Sequence, residues 1–223
     1  MSSSSKPTKP TLGARRDRRA HHAASHAERQ RQHIALAAAR ILADEGINDY
    51  QNAKRRAAAR LGLDDPRNLP TNQEVDQALR EHLALFHGAR LDAQLRHLRT
   101  LAAEAMEFLA AHDPRLVGPV LSGAATPTVP IQLHVTAENP EEIAWLLQGH
   151  GIPYEQVERR VRFGGDRHAP VPVFQFTADG AIVELYVFDH VDVRETPLSP
   201  IDGRPMHRAH LKEVRALLTQ SSA

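Results

Sequence analysis

Apolar side chains recur at Ile34, Ala38, Ile41 and Leu42, a helical spacing over residues 28–43 that Gly46 brings to a stop. Asn48 and Asp49 then offer caps for a second helix. Its Tyr50, Ala53, Ala57 and Leu61 fall on one side and Lys54, Arg55, Arg56 and Arg60 on the rest, before Gly62. Thr71 with Glu74 forms a capping box that opens a third helix bearing Val75, Leu79, Leu83 and Phe86, which Gly88 is expected to end. A fourth helix over about residues 90–111 carries Leu91, Leu95, Leu98, Ala102, Ala105, Met106 and Leu109, with Pro114 behind it. Residues 33–112 therefore read as a small helical bundle.

The period then changes. Residues 116–121, 131–135, 156–162, 171–176 and 182–188 read as short strands, and Asp179–Gly180 joins the last two as a hairpin. Asn139 and Pro140 start a short helix with Ile143, Leu146 and Leu147. Trp145 is expected in its core. A closing helix over about residues 207–218 places Leu211, Val214, Leu217 and Leu218 on one face. The expected class is α+β, an N-terminal helical bundle followed by a mixed β-sheet domain with helices over residues 113–223.

Charge changes this picture only at the front. Residues 1–32 hold eight basic against two acidic side chains, a net +6 within a chain whose formal charge is +1, and Leu12 is nearly their only large apolar residue. They are expected to be a disordered basic arm, a solubilising tail or an electrostatic contact to RNA. With 41% hydrophobic and 25% charged residues, the chain has the composition of an ordinary globular protein. The absence of cysteine excludes thiolate metal sites, Cys nucleophiles and disulfides. No apolar run spans a bilayer, so no membrane contact and a cytoplasmic location are expected.

Candidate chemistry concentrates in residues 121–135, read as a strand, a turn of small residues and an alternating strand. A turn without bulky side chains lets backbone N–H groups approach phosphate. Gln132 and His134, two apart, point the same way from their strand, or form its solvent-facing half. Glu184 in Ile182–Val183–Glu184–Leu185 belongs with them if it faces them. A second candidate is the proline-fixed loop of residues 196–206. It presents Ser199, Asp202 and Arg204 to an anion or ribose, or simply wraps a sheet edge. Arg159, Arg160, Arg162 and Arg167 add positive charge near Gly164–Gly165. Among 14 histidines, His22 and His26 have one-turn spacing but no matching carboxylate, so a solvated face is expected.

Over about residues 116–190 this layout resembles the nucleotidyltransferase fold. That family shows a Gly-Ser turn, a strand with two alternating carboxylates, and a third carboxylate on a later strand. The resemblance implies a turn at Ser122–Gly123 holding phosphate, and Glu184 as the anionic ligand of Mg or Mn. Gln132 and His134 stand where the acidic pair would be, and the turn order is reversed, so the implied protein is a degenerate member. It would bind a nucleotide or RNA end, with Glu184, His134 and Gln132 as the catalytic candidates if transfer survives. The helical front half with this sheet is also similar to a family of small bacterial proteins of undetermined activity. Muramate–alanine ligation, associated with some members, needs a Gly-x-x-Gly-Lys-Thr/Ser phosphate loop that no stretch supplies. The competing expectation is a non-catalytic module contacting RNA or protein through the arm and the basic second helix.

Overall fold

The computed structural model describes residues 12–45, 49–63, 68–124, 126, 128–189 and 195–220. Helix α1 runs from Leu12 to Glu45, so residues 12–32 continue a helix where an arm is expected, while residues 1–11 lie outside the described residues. The cause is local. From Ala14 to Glu45 there is no glycine or proline, and Ala, Arg and Gln are strong helix formers that propagate a helix without an apolar face. Among the described side chains, α1 buries Ile34, Ala35, Ala38, Ala39, Ile41 and Leu42.

Helix α2 (Tyr50–Leu61) starts where the Asp49 carboxylate accepts the Asn52 N–H at 2.9 Å, and ends at Gly62 with φ 65°. Helix α3 (Asn72–Phe108) opens with the Thr71–Glu74 capping box and continues straight through Gly88, where a stop and a separate fourth helix are expected. An interior glycine costs only about 1 kcal/mol relative to alanine, and both halves of α3 are held by packing. Val75, Ala78, Leu79 and Leu83 pack with α1 and α2, whereas Leu98, Ala102, Ala103, Met106 and Leu109 belong to the core of the sheet. One helix thus serves two cores, and the expected boundary at residue 112 does not separate them.

The five-stranded mixed sheet has the order β1-β2-β5-β4-β3, with β1 (Arg115–Val117), β2 (Ile131–Thr136), β3 (Glu155–Arg162), β4 (His168–Ala178) and β5 (Ala181–Phe188). Only β2 and β5 pair in parallel. Strand β1 stops short of the expected 116–121, because Gly118 (φ 73°) and Pro119 turn the chain into a short helix α4 (Gly118–Ser122). Asp179 and Gly180, both at positive φ, close the β4–β5 hairpin as expected.

Period-two alternation gives the sheet two unlike faces. Ile131, Leu133, Val135, Val183, Leu185 and Val187 point into the main core, under the second half of α3, α5 (Pro140–Gly149) and α6 (Leu211–Gln220). Gln132, His134 and Thr136 of β2 and Glu184, Tyr186 and Phe188 of β5 take the other face. On α5, Ile143 and Leu147 are buried, but Trp145 is 67% exposed rather than core. It lies about 200° round the helix from Ile143 at 100° per residue. Among the described residues, no helix is long and apolar enough to cross a membrane.

Candidate functional site

Parallel pairing of β2 with β5 sets Gln132 directly opposite Glu184, and antiparallel pairing of β4 sets Gln175 on its other side. The Glu184 carboxylate is buried and saturated. One oxygen accepts from Gln175 Nε2 at 2.7 Å and lies 3.8 Å from Arg159 Nη2. The other accepts from Gln132 Nε2 at 3.0 Å and from the Tyr186 hydroxyl at 3.1 Å. Burial, with the neighbouring carboxylate next in importance, holds the Tyr186 hydroxyl protonated well beyond the usual phenol range.

Gly118 completes this cluster. A Cβ there would overlap Gln132 Oε1, so the glycine leaves room for the amide to lie flat and aim its NH₂ at Glu184. The Gly118–Pro119 dipeptide is a sequence signal for a chain turn, although sequence reasoning did not connect it to Gln132.

His134 lies one step along β2, opposite Tyr186, with Phe188 at 4.7 Å between ring centroids. It is 3% exposed, and its Nδ1 is buried without a hydrogen-bond partner among the described residues. Burial, then the nearby Arg208 guanidinium, lowers its pKa to about 3, so the imidazole is neutral at physiological pH. A buried polar nitrogen without a partner is uncommon and asks for an explanation.

The Ser122–Gly123 turn does not present the expected phosphate cradle. Gly123 N–H donates to Pro119 O at 2.9 Å, and the Ser122 hydroxyl reaches the same carbonyl at 3.4 Å. The carbonyls at the end of α4 point here, and Arg99, itself buried, donates to Val120 O and Leu121 O at 3.1 Å each. A helix C-terminus favours a cation, here Arg99, and the Gly123 N–H that would meet a phosphate is already spent on Pro119 O.

Residues 196–206 form a strap across the sheet's second face. Leu198 N–H donates to Arg162 O at 2.8 Å, Ser199 N–H to Arg204 O at 2.7 Å and Met206 N–H to Pro197 O at 2.8 Å. Two of its expected ligand groups brace the strap itself. Ser199 Oγ accepts the Ile201 N–H at 3.1 Å, and the Asp202 carboxylate accepts the Arg204 N–H at 3.1 Å. That backbone N–H is the main reason the Asp202 carboxyl titrates below its ordinary value. Ile201 reaches the core of α1–α3, and Asn72 of α3 donates its side-chain amide to Pro200 O.

A cleft opens on each side of the strap. The first, about 630 Å³, has Gln132, His134 and Tyr186 on its floor and the strap on one wall; on the other wall Arg159 shares the face of Glu184, whereas Arg160, Arg162 and His168 alternate to the opposite face and border the cleft along the sheet edge. The second, about 650 Å³, lies among α3, α4, α6 and the strap, and Arg204 borders it. Both share Gln132, residues 199–202 and Met206. Of the four expected arginines, Arg167 is taken up structurally by Glu195 at 2.7 Å and by the Phe163 ring at 4.3 Å.

The expected divalent metal fits this donor set poorly. Mg and Mn need several hard anionic oxygens. Here a single carboxylate has both oxygens occupied, its neighbours are a neutral amide and a neutral imidazole, and among the described residues no three His, Cys, Asp or Glu side chains group to hold a metal. The basic face expected on α2 is also largely consumed. Lys54 is buried, and Arg56 and Arg60 both pair with Glu45. No family model matches the chain, and no curated protein matches its sequence.

Proposed function

We propose that this chain is a binding protein for a phosphate-bearing small molecule, held without a metal in the cleft between the second face of the sheet and the strap. Nucleotides are the ligand class that the nucleotidyltransferase resemblance implies. The observation that carries the reading is the meeting, in one cleft, of the Arg159 guanidinium with a buried neutral imidazole lacking a partner for Nδ1 among the described residues. Guanidinium groups match phosphate oxygens in geometry and charge. A neutral imidazole and an amide orient an uncharged part of the ligand without a second charge to desolvate. The reading assigns binding rather than nucleotidyl transfer, because Glu184 is spent on holding Gln132, Gln175 and Tyr186 in place.

The test is titration calorimetry of the full chain with AMP and with inorganic phosphate, with and without magnesium. Binding should be independent of magnesium, weaken with added salt, and fall about tenfold or more in Arg159→Gln. Absence of binding at millimolar ligand, or affinity unchanged in Arg159→Gln, would overturn the reading.

A further inference from the structure

Apart from the clefts, which no described α1 residue lines, we infer that helix α1 is a docking surface for double-stranded DNA, through a stripe of arginine and histidine along one side. At 3.6 residues per turn, Arg15, Arg18, Arg19 and Arg29 fall within an arc of about 100°. His22, His26 and His33 fill the same arc, and from residue 15 to residue 33 every position on it is Arg or His. The acidic residues of this segment are segregated from it. Asp17 and Glu28 lie about 200° and 220° round the helix from Arg15. Ile34, Ala38 and Leu42, which α1 buries, lie about 100–180° round, so the stripe looks away from the helical core. His26, Arg29 and His33 are exposed, as is Arg40 further along the same line. Arg31, off the stripe, lies 4.0 Å from Glu74, whereas Arg29 donates Nε within the helix to Ser25 O at 3.3 Å and keeps its charge on the stripe.

Charge and shape select the partner. Four guanidinium groups along roughly 27 Å of helix, at 1.5 Å per residue, complement a line of phosphates, whose oxygens they match in geometry. A lipid surface is a poor match, because an interfacial helix needs an apolar face and Leu12 is the one large apolar residue between 12 and 33. Single strands are held largely by stacking. Residues 12–33 contain no Phe, Tyr or Trp to supply it. An α-helix about 10–12 Å across enters the B-form major groove, which is about 12 Å wide, but not the deep, narrow groove of an A-form duplex.

The test is fluorescence anisotropy of the full chain with a labelled mixed-sequence DNA duplex and the matching RNA duplex, with co-sedimentation on phosphatidylserine vesicles alongside. Each neutralised phosphate adds about 0.9 to the salt slope, so four arginines should weaken DNA binding about a hundredfold between about 50 and 200 mM salt. Arg15→Gln, Arg18→Gln, Arg19→Gln and Arg29→Gln together should flatten that slope by about 3–4 units, and Gln is a strong helix former, so helicity by circular dichroism should be kept. Adding Asp17→Lys and Glu28→Lys to that variant restores the net charge on the opposite side of the helix. It should not restore binding. The comparison of DNA with RNA needs no variant, and DNA should bind the more tightly. Absence of DNA binding, a slope unchanged in the fourfold variant, or recovery in the charge-restored one would overturn the inference. So would equal affinity for the RNA duplex, or attachment to vesicles without binding to DNA.

Discussion

Gly118→Ala probes the least visible part of the site. The backbone there sits at φ 73°, a left-handed conformation that costs an L-residue about 1–2 kcal/mol. The new methyl would also overlap Gln132 Oε1. That atom ends a flexible side chain, so the overlap is relieved by swinging the amide aside. The lasting cost is the 3.0 Å bond from Gln132 Nε2 to the buried Glu184 carboxylate, worth about 1.5–3 kcal/mol for a charged acceptor. Gly118→Ala should therefore lower stability by about 3–4 kcal/mol in urea denaturation followed by circular dichroism. In a Gln132→Ala background the same substitution should cost only the backbone strain, about 1–2 kcal/mol, since the bond is already gone. Equal costs in the two backgrounds would refute the claim that Gly118 acts through Gln132.

Three further outcomes follow from the same geometry. Arg99→Lys should cost about 1–3 kcal/mol by thermal denaturation, because an ammonium cannot reproduce the two-pronged contact to Val120 O and Leu121 O; a neutral result would mean that α4 does not depend on that cap. Gly88→Pro should cost about 3 kcal/mol or more if α3 is one continuous helix, and little if the chain turns at Gly88. For His134, an ordinary pKa of 6.5 falls to about 3 on folding, so the unfolded chain binds the extra proton between those values and stability is lost as pH drops through that window. The slope approaches about 1.4 kcal/mol per pH unit, and the difference in urea midpoint between wild type and His134→Gln from pH 7 to 4.5 should show it; parallel pH profiles would contradict the buried neutral imidazole.

What the sequence disclosed depended on whether the signal was local. Asp49, Gly62, the Thr71–Glu74 box and Asp179–Gly180 each act within a few residues, and each stands where its chemistry predicts. Period-two alternation put Gln132 and His134 on one strand face, and the β2–β5 register brought Glu184 to Gln132. Other features depend on partners distant in sequence. Gly88 carries a break signal worth about 1 kcal/mol, which two packed helix halves override. Ser122–Gly123 has the composition of an anion-binding turn, yet Gly118–Pro119 ends β1 early and converts it to a helix C-terminus capped by Arg99, a residue some twenty positions away. Trp145 is apolar in a helix whose buried face is already filled by Ile143 and Leu147.

The helical unit is a working wall of the candidate site rather than an appendage. Helix α3 contributes to both cores, and the strap ties back to it through Ile201 in the helical core and through the Asn72 amide on Pro200 O. Tyr50 and Arg80, joined through Asp76 at 3.0 and 2.9 Å, form one side of the second cleft, while α4 and α6 form another. A ligand held under the strap therefore binds only when the strap, the sheet and the helical unit are docked. Binding must then stabilise that docking, by about 2.7 kcal/mol at a hundred times the dissociation constant. Asn72→Ala, which removes the amide on Pro200 O and lines neither cleft, should weaken ligand binding by as much as it loosens the strap from α3. A ligand affinity indifferent to Asn72 would separate the helical unit from the site and confine function to the sheet.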